Sequence, residues 1–483
     1  MSSPMLLLLL PLLCFILCFS PSSQTILLPL THLISKTQFN TTHHLLKSTS
    51  TRSTKRFHHQ HNNHHKTQPQ LSLPLSPGSD YTLSFNLGSH PPQLITLYMD
   101  TGSDLVWFPC SPFECILCEG KPQTTKPANI TKAHSVSCQS PACSASHATL
   151  SSSNLCAISR CPLDFIETSD CSSFSCPPFY YAYGDGSFVA NLYRHTLSLS
   201  SLLLHNFTFG CAHTALAEPT GVAGFGRGIL SLPAQLSTLS PHLGNRFSYC
   251  LVSHSFDGDR VKQPSPLILG RHDTTTGEEE DIEFAYTSML SNPKHPYYYC
   301  VGLAGISVGK KNVPAPEILK SVDEKGNGGM VVDSGTTFTM LPESFYNAVV
   351  AEFDKRVGRV HKRASEVETK TGLSPCYYLN GLSKIPTMTL HFVGNGSGVV
   401  LPRKNYFYEF LDGGDGVRGK GKVGCMMLMN GGDETELDGG PGATLGNYQQ
   451  QGFEVVYDLE KERVGFAKKE CALLWDSLNS EKN

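Results

Sequence analysis

What most restricts the fold of this 483-residue chain is that one local pattern occurs in it twice. An apolar run, LITLYM, enters Asp100-Thr101-Gly102-Ser103, and much later comes the tripeptide Val222-Ala223-Gly224. A second apolar run, MVV, enters Asp333-Ser334-Gly335-Thr336, and Thr444-Leu445-Gly446 follows. From Asp to the last Gly the separations are 124 and 113 residues, which predicts two lobes built on one plan. A duplicated lobe sets two like sites face to face.

The motif has a chemical logic. The apolar run buries the strand, Gly102 or Gly335 permits a tight turn, and the hydroxyls of Thr101, Ser103, Ser334 and Thr336 can hydrogen-bond a carboxylate. Two carboxylates held close cannot both ionise, because repulsion and desolvation keep one proton on the pair. The ionised member then serves as a base toward water and the neutral member as an acid toward a carbonyl oxygen, with no metal or other cofactor required. Asp100 and Asp333 are the candidate catalytic residues. A single copy of the motif reads as an Asx turn after a strand; two copies in matching context point to paired chemistry.

From about Leu71 onward, short runs rich in Val, Ile, Leu, Tyr, Phe and Thr alternate with Gly, Pro, Ser and Asn turns, as in HNFTFGC, FEVVYD and ERVGFAKK. The expected fold class is all-β with a few short helices, the clearest being PESFYNAVVAEFDKRV, where Pro342 and Glu343 suit a first turn. The expected divisions are a signal peptide over 1–23, a removable pro-segment over 24–70, a first lobe over 71–270 and a second over 271–483. The pro-segment is expected to lack order, being dense in Ser, Thr, His and Lys with little apolar periodicity. Its tract of His58, His59, His61, His64 and His65 reads as a solvated run, with a pH-sensitive clasp as the rival reading. Lys355, Arg356, Arg359, Lys362 and Arg363 read as a solvated helix end.

A net charge of −3 gives no basic field for nucleic acid, and nothing after the leader approaches the roughly eighteen apolar residues of a spanning helix. A soluble monomer acting on peptide or protein substrates is expected, secreted to the extracellular space or cell wall, or routed to a vacuole. Beyond Cys14 and Cys18 of the leader lie fifteen cysteines, a number suited to an oxidising compartment. Nine of them, from Cys110 to Cys176, crowd one Ser-rich segment and are expected to form disulfides. Cys115 and Cys118 form a C-x-x-C, but no second pair follows at zinc-finger spacing, so no metal is expected. An odd total leaves one thiol over, and Cys300 sits alone. Glycosylation triplets begin at Asn40, Asn129, Asn206 and Asn395.

With MDTGSDLVW, YAYGDGS, GFGRGILSLPAQL, FSYC, YYYCVGLAGISVG, VVDSGTTFTML and GNYQQQGFEVVYDLEKERVGFA in this order, the chain resembles the pepsin family and its plant, nepenthesin-type branch from Leu71 to Cys471. The resemblance implies a bilobal pepsin-like aspartic protease fold and hydrolysis of peptide bonds at acidic pH by the Asp100–Asp333 dyad. It makes Ser103 and Thr336 the outer partners of the acids and Tyr183 part of a hairpin flap turning at Gly184 and Asp185, with Trp107 bracing its hydroxyl. It also implies disulfides Cys376–Cys425 and Cys211–Cys471. Past the flap turn the chain reads FVANLYRHTL, where relatives carry a small polar residue and then Gly. The alternative is a non-catalytic binding or inhibitor protein on the same fold; such relatives typically lose an active-site motif, and both are intact here.

Overall fold

The computed structural model describes residues 25–32, 41–61, 81–88, 91–119, 126–147, 150–183, 186–243, 245–256, 263–271, 284–379, 384–394, 398–412, 421–433 and 440–480. As expected, strands dominate. A six-stranded antiparallel sheet runs through the middle of the molecule in the order Ile26–His32, Ser265–Leu269, Arg246–Cys250, Phe453–Asp458, Arg463–Lys468, Ala285–Leu290. Its strands come from both halves of the sequence, so the two lobes share one β backbone. Phe247 stacks on Tyr457 across the sheet with ring centroids 4.7 Å apart. Large apolar side chains of this kind lock register, because a one-residue slip would turn them to the opposite face.

The repeat in the sequence is a repeat in structure. Gln93–Asp100 pairs in parallel with Val222–Gly224, placing Asp100 opposite Gly224. Met330–Asp333 pairs in parallel with Ala443–Gly446, placing Asp333 opposite Gly446. In each lobe the strand after the turn, Val106–Ile116 or Thr339–Leu341, returns antiparallel to the same tripeptide. The expected helix runs Glu343–Val357 and buries Phe345, Tyr346, Val349, Phe353 and Val357 on one face. At its basic end Lys355 and Arg356 pair with Glu352, and Arg363 beyond it pairs with Glu368.

Seven disulfides are formed among the described residues. The nine cysteines of the Cys-rich segment, whose pairing the sequence leaves open, are all bonded: Cys115–Cys118, Cys138–Cys156, Cys143–Cys176 and Cys161–Cys171 within the segment, and Cys110 to Cys211 outside it. Cys376–Cys425 forms as the resemblance implied. Cys211–Cys471 does not. Cys211 lies in a strand parallel to the one carrying Cys110, and the C-terminal helix Cys471–Ser480 starts beside Cys250, so the bonds are Cys110–Cys211 and Cys250–Cys471. Cys300 is free and buried.

The expectation of disorder over 24–70 also needs correcting. Ile26–His32 is the edge strand of the central sheet, and Thr42–His61 is a helix of 20 residues. Its inward face carries Leu45, Thr49, Ser53 and Phe57 at four-residue spacing, all buried. Two of these four are polar, so the stripe is invisible to an apolar count. The hydroxyls satisfy themselves on the helix: Thr49 donates to Leu45 O at 2.9 Å and Ser53 to Thr49 O at 3.2 Å. Tertiary contact then holds the helix, with Ser50 donating to Thr371 O at 2.9 Å and Phe338 N–H donating to Ser53 Oγ at 3.1 Å.

Candidate active site

Asp100 and Asp333 end equivalent strands and are both buried. Gly102 N–H donates to Asp100 Oδ1 at 2.9 Å and Ser103 Oγ to Oδ2 at 2.6 Å. The other lobe repeats the pattern, with Gly335 N–H on Asp333 Oδ1 at 2.7 Å and Thr336 Oγ1 on Oδ2 at 2.6 Å. Behind the acids the lobes clasp each other: Thr101 Oγ1 donates to Val332 O and accepts from Ser334 N–H, while Ser334 Oγ donates to Met99 O and accepts from Thr101 N–H. All eight residues of the two sequence motifs thus converge at one point.

The two glycines let the acids approach. A Cβ on Gly102 would lie 2.7 Å from Asp333 Cγ, and one on Gly335 would lie 2.3 Å from Asp100 Oδ1. Each glycine therefore faces the acid of the opposite lobe, and any larger residue would push the pair apart.

A third group, not foreseen from the sequence, completes the site. Arg56, on the helix Thr42–His61, sets its guanidinium across both acids: Nη2 is 2.5 Å from Asp100 Oδ1 and 3.4 Å from Asp333 Oδ1, and Nε is 3.0 Å from Asp333 Oδ2. Phe57 anchors the turn beside it in the cluster with Phe256, Phe338, Met340 and Tyr448. Burial alone would push both carboxyls up. At Asp100 the charge and hydrogen bonds of Arg56, helped by Ser103 and Gly102, override it and hold the carboxyl below its ordinary range. At Asp333 burial prevails despite the pull of Arg56, the charge of Asp100 adds to it, and the carboxyl is raised. Two like acids thus acquire unlike proton affinities.

Tyr183 lies at the end of the hairpin formed by Phe179–Ala182 and Ser187–Leu199, and its N–H donates to Gly186 O at 2.7 Å. Trp107 Nε1–H donates to the Tyr183 hydroxyl at 2.7 Å, leaving the phenolic proton free to donate elsewhere. Burial pushes the Tyr183 hydroxyl well up, so it keeps that proton. Gly184 and Asp185 lie outside the described residues.

Next to Ser103, Asp104 accepts from Gly228 N–H at 2.8 Å, and Phe225 and Gly226 N–H donate to the carbonyls of Asp100 and Ser103. Burial pushes the Asp104 carboxyl up to about 7, against the opposing pull of the Gly228 N–H. Between an unfolded value of about 3.9 and that value the folded chain holds the extra proton, so stability is full below about pH 4 and falls as pH rises, by up to about 1.4 kcal/mol per unit. Asp104→Asn keeps an acceptor for Gly228 and cannot ionise. Its thermal midpoint, relative to the wild type, is expected to climb by several degrees between pH 4 and 7; parallel curves in calorimetry would refute the assignment.

The family description "xylanase inhibitor N-terminal" matches residues 81–271 and "xylanase inhibitor C-terminal" matches 298–468. A probable aspartyl protease of Arabidopsis thaliana is 65% identical over 427 residues, 84% of this chain and 85% of that protein. Aspartic proteinase nepenthesin-1 of Nepenthes gracilis is 28% identical over 404 residues, 81% of this chain and 78% of that one. Among solved structures, basic 7S globulin from soybean has a similar fold, with a TM-score of 0.59 at 18% identity, covering 93% of this chain and 98% of that chain.

Proposed function

Since the chain belongs to the plant, nepenthesin-type branch of the pepsin-like aspartyl proteases and is by that membership an aspartic-type endopeptidase, we propose that it cleaves proteins at acidic pH through Asp100 and Asp333. The observation that carries this reading is the mutual approach of two buried acids, each facing the glycine of the other's motif. With Arg56 gone, the pair retains one proton. The ionised carboxyl draws a proton from a water held between them, the water oxygen adds to the peptide carbon, and the neutral carboxyl gives its proton to the carbonyl oxygen. The pair then protonates the leaving nitrogen as the tetrahedral centre collapses. Tyr183, its oxygen fixed by Trp107, is placed to close over the substrate and donate a hydrogen bond.

Arg56 makes the full chain latent. A guanidinium across both acids occupies the position of the water, and the helix behind it fills the cleft against the second lobe. We therefore read 24–70 as a pro-segment of a secreted zymogen, preceded by a signal peptide, with exposed Asn129 and Asn206 as glycosylation sites. The test is cleavage of a denatured protein at roughly pH 3 to 5, where such a pair holds one proton, before and after acid processing. Processed protein is expected to cut and pepstatin to stop it. A processed protein that does not cut, or whose cutting pepstatin leaves untouched, removes the assignment.

A further inference from the structure

Surface loops are ordinarily the mobile parts of a fold, but the triplet that begins at Asn129 is clamped. One side chain holds its backbone from both sides: Gln93 Nε2 donates to Asn129 O at 2.8 Å, and Asn129 N–H donates to Gln93 Oε1 at 2.7 Å. Just before it, Ala128 bonds to the strand Val106–Ile116, its N–H donating to Pro109 O and its carbonyl accepting from Ser111 N–H, each at 2.9 Å. Thr131 N–H donates to Asn129 Oδ1 at 3.0 Å. The turn therefore uses the oxygen of the Asn129 amide and not the nitrogen, the atom that bears a glycan.

A cavity of about 200 Å³ opens beside the triplet, lined by Asn129 and Thr131 together with Gly88, Pro91, Gln93, Lys132 and His195. That is room for roughly seven waters, or for one sugar ring. Pro91 is the one apolar side chain among these residues; the others bring amide, hydroxyl, ammonium and imidazole groups, a mixture suited to a ring that carries hydroxyls on its rim. His195 supplies a directed donor. Its Nδ1 accepts from Thr196 N–H at 2.8 Å, so the neutral ring carries its proton on Nε2. Burial and the positive charges of His134 and Lys132 keep that ring neutral. Nε2 lies 3.3 Å from the point where a Cβ on Gly88 would stand, and Pro91 O, an acceptor for a hydroxyl, lies 3.9 Å from the same point. Gly88, at φ +74°, thus leaves a donor and an acceptor uncovered at the cavity wall.

We propose that the innermost N-acetylglucosamine of a glycan on Asn129 seats in this cavity and is part of the first lobe's packing. The inference rests on the reading of Asn129 as a glycosylation site and gives that glycan a place in the fold. Because the ring is tethered beside its site, its effective concentration is high and a few modest contacts hold it. A seated ring touches Gln93, the first residue of the strand that ends in Asp100, and His195, on the strand that leaves the Tyr183 hairpin. It ties the floor of the active site to the arm of the flap from the far side of both strands' ends.

The test uses the full chain secreted from cells whose mannosidases are inhibited, which keeps the glycans of one high-mannose type. Glycopeptide mass spectrometry first reads occupancy: a bare Asn129 removes the glycosylation reading there and this inference with it. On the folded protein, an amidase that cuts the sugar–asparagine bond should free the Asn129 glycan at least about tenfold more slowly than that of exposed Asn206, because a seated ring must first leave its cavity. This comparison needs no variant. An endoglycosidase that spares the innermost sugar should leave the thermal midpoint unchanged. Asn129→Asp, which keeps an oxygen for Thr131 N–H but carries no glycan, should lower it by at least about 2 °C. His195→Ala should cost less in the Asn129→Asp background than in the glycosylated chain, a comparison that cancels the bond to Thr196. Equal release from the two sites, or the same His195→Ala shift in both backgrounds, leaves Asn129 glycosylated and overturns the seating of its sugar.

Discussion

Asp100→Asn protein, freed of its preceding segment by an added protease, will be folded and will cleave denatured protein about 10³ to 10⁴ times more slowly than the wild type. The substitution is nearly isosteric. An Asn oxygen can still accept from Gly102 N–H, and the Ser103 hydroxyl can rotate to accept from the new amide, so the turn has no reason to unfold. What disappears is the capacity to exchange a proton. Asp333→Asn should behave alike, because Gly335 and Thr336 hold that acid in the same way. The comparison of kcat/KM with thermal midpoint separates the two readings of the fold: a binding protein would retain its partner, whereas an enzyme loses turnover. Either variant keeping more than about a tenth of wild-type activity would end the dyad assignment.

The second large effect concerns latency. Among the described residues Arg56 is a cation that contacts both acids, and Arg56→Ala leaves two buried carboxyls without it. Breaking a buried pair of this kind typically costs about 3 to 5 kcal/mol. That cost falls on the docked arrangement and not on the lobes, so unprocessed Arg56→Ala chain should be active about 10² to 5 × 10³ times above unprocessed wild type near pH 5. Arg56→Lys keeps the charge and loses the fork that spans both acids, which predicts an intermediate level. Mass spectrometry of the assayed sample must show the N-terminus intact. Should that uncut Ala variant be as silent as the wild type, Arg56 is not the brake.

The site was legible in the sequence as far as its own residues repeat. Two strands, two Asp motifs and two distant Gly tripeptides prescribe the pseudo-symmetric floor, and the structure brings them together. Three things were not legible. Arg56 lies in a run of Ser, Thr, Lys and His whose helical face is built from hydroxyls, so its pattern resembles a solvated chain. The partner of Cys211 depends on which strand becomes its neighbour, a long-range fact that spacing along the chain does not carry. His32 and His254, whose rings stack with centroids 3.8 Å apart, stand 222 positions apart in the sequence, and neither is marked there by any motif.

The central sheet has one further implication. Ser265–Leu269 is buried along its whole length, and beyond Arg246–Cys250 its other neighbour is the strand Ile26–His32. Shedding that strand would bare a ledge of unsatisfied amides and carbonyls on a hydrophobic ribbon, the kind of border that recruits foreign chains. On the proposed zymogen reading, activation is coupled to a solubility problem: whichever bond is cut, some polypeptide has to roof that ledge, or the liberated molecules will stick to one another along it.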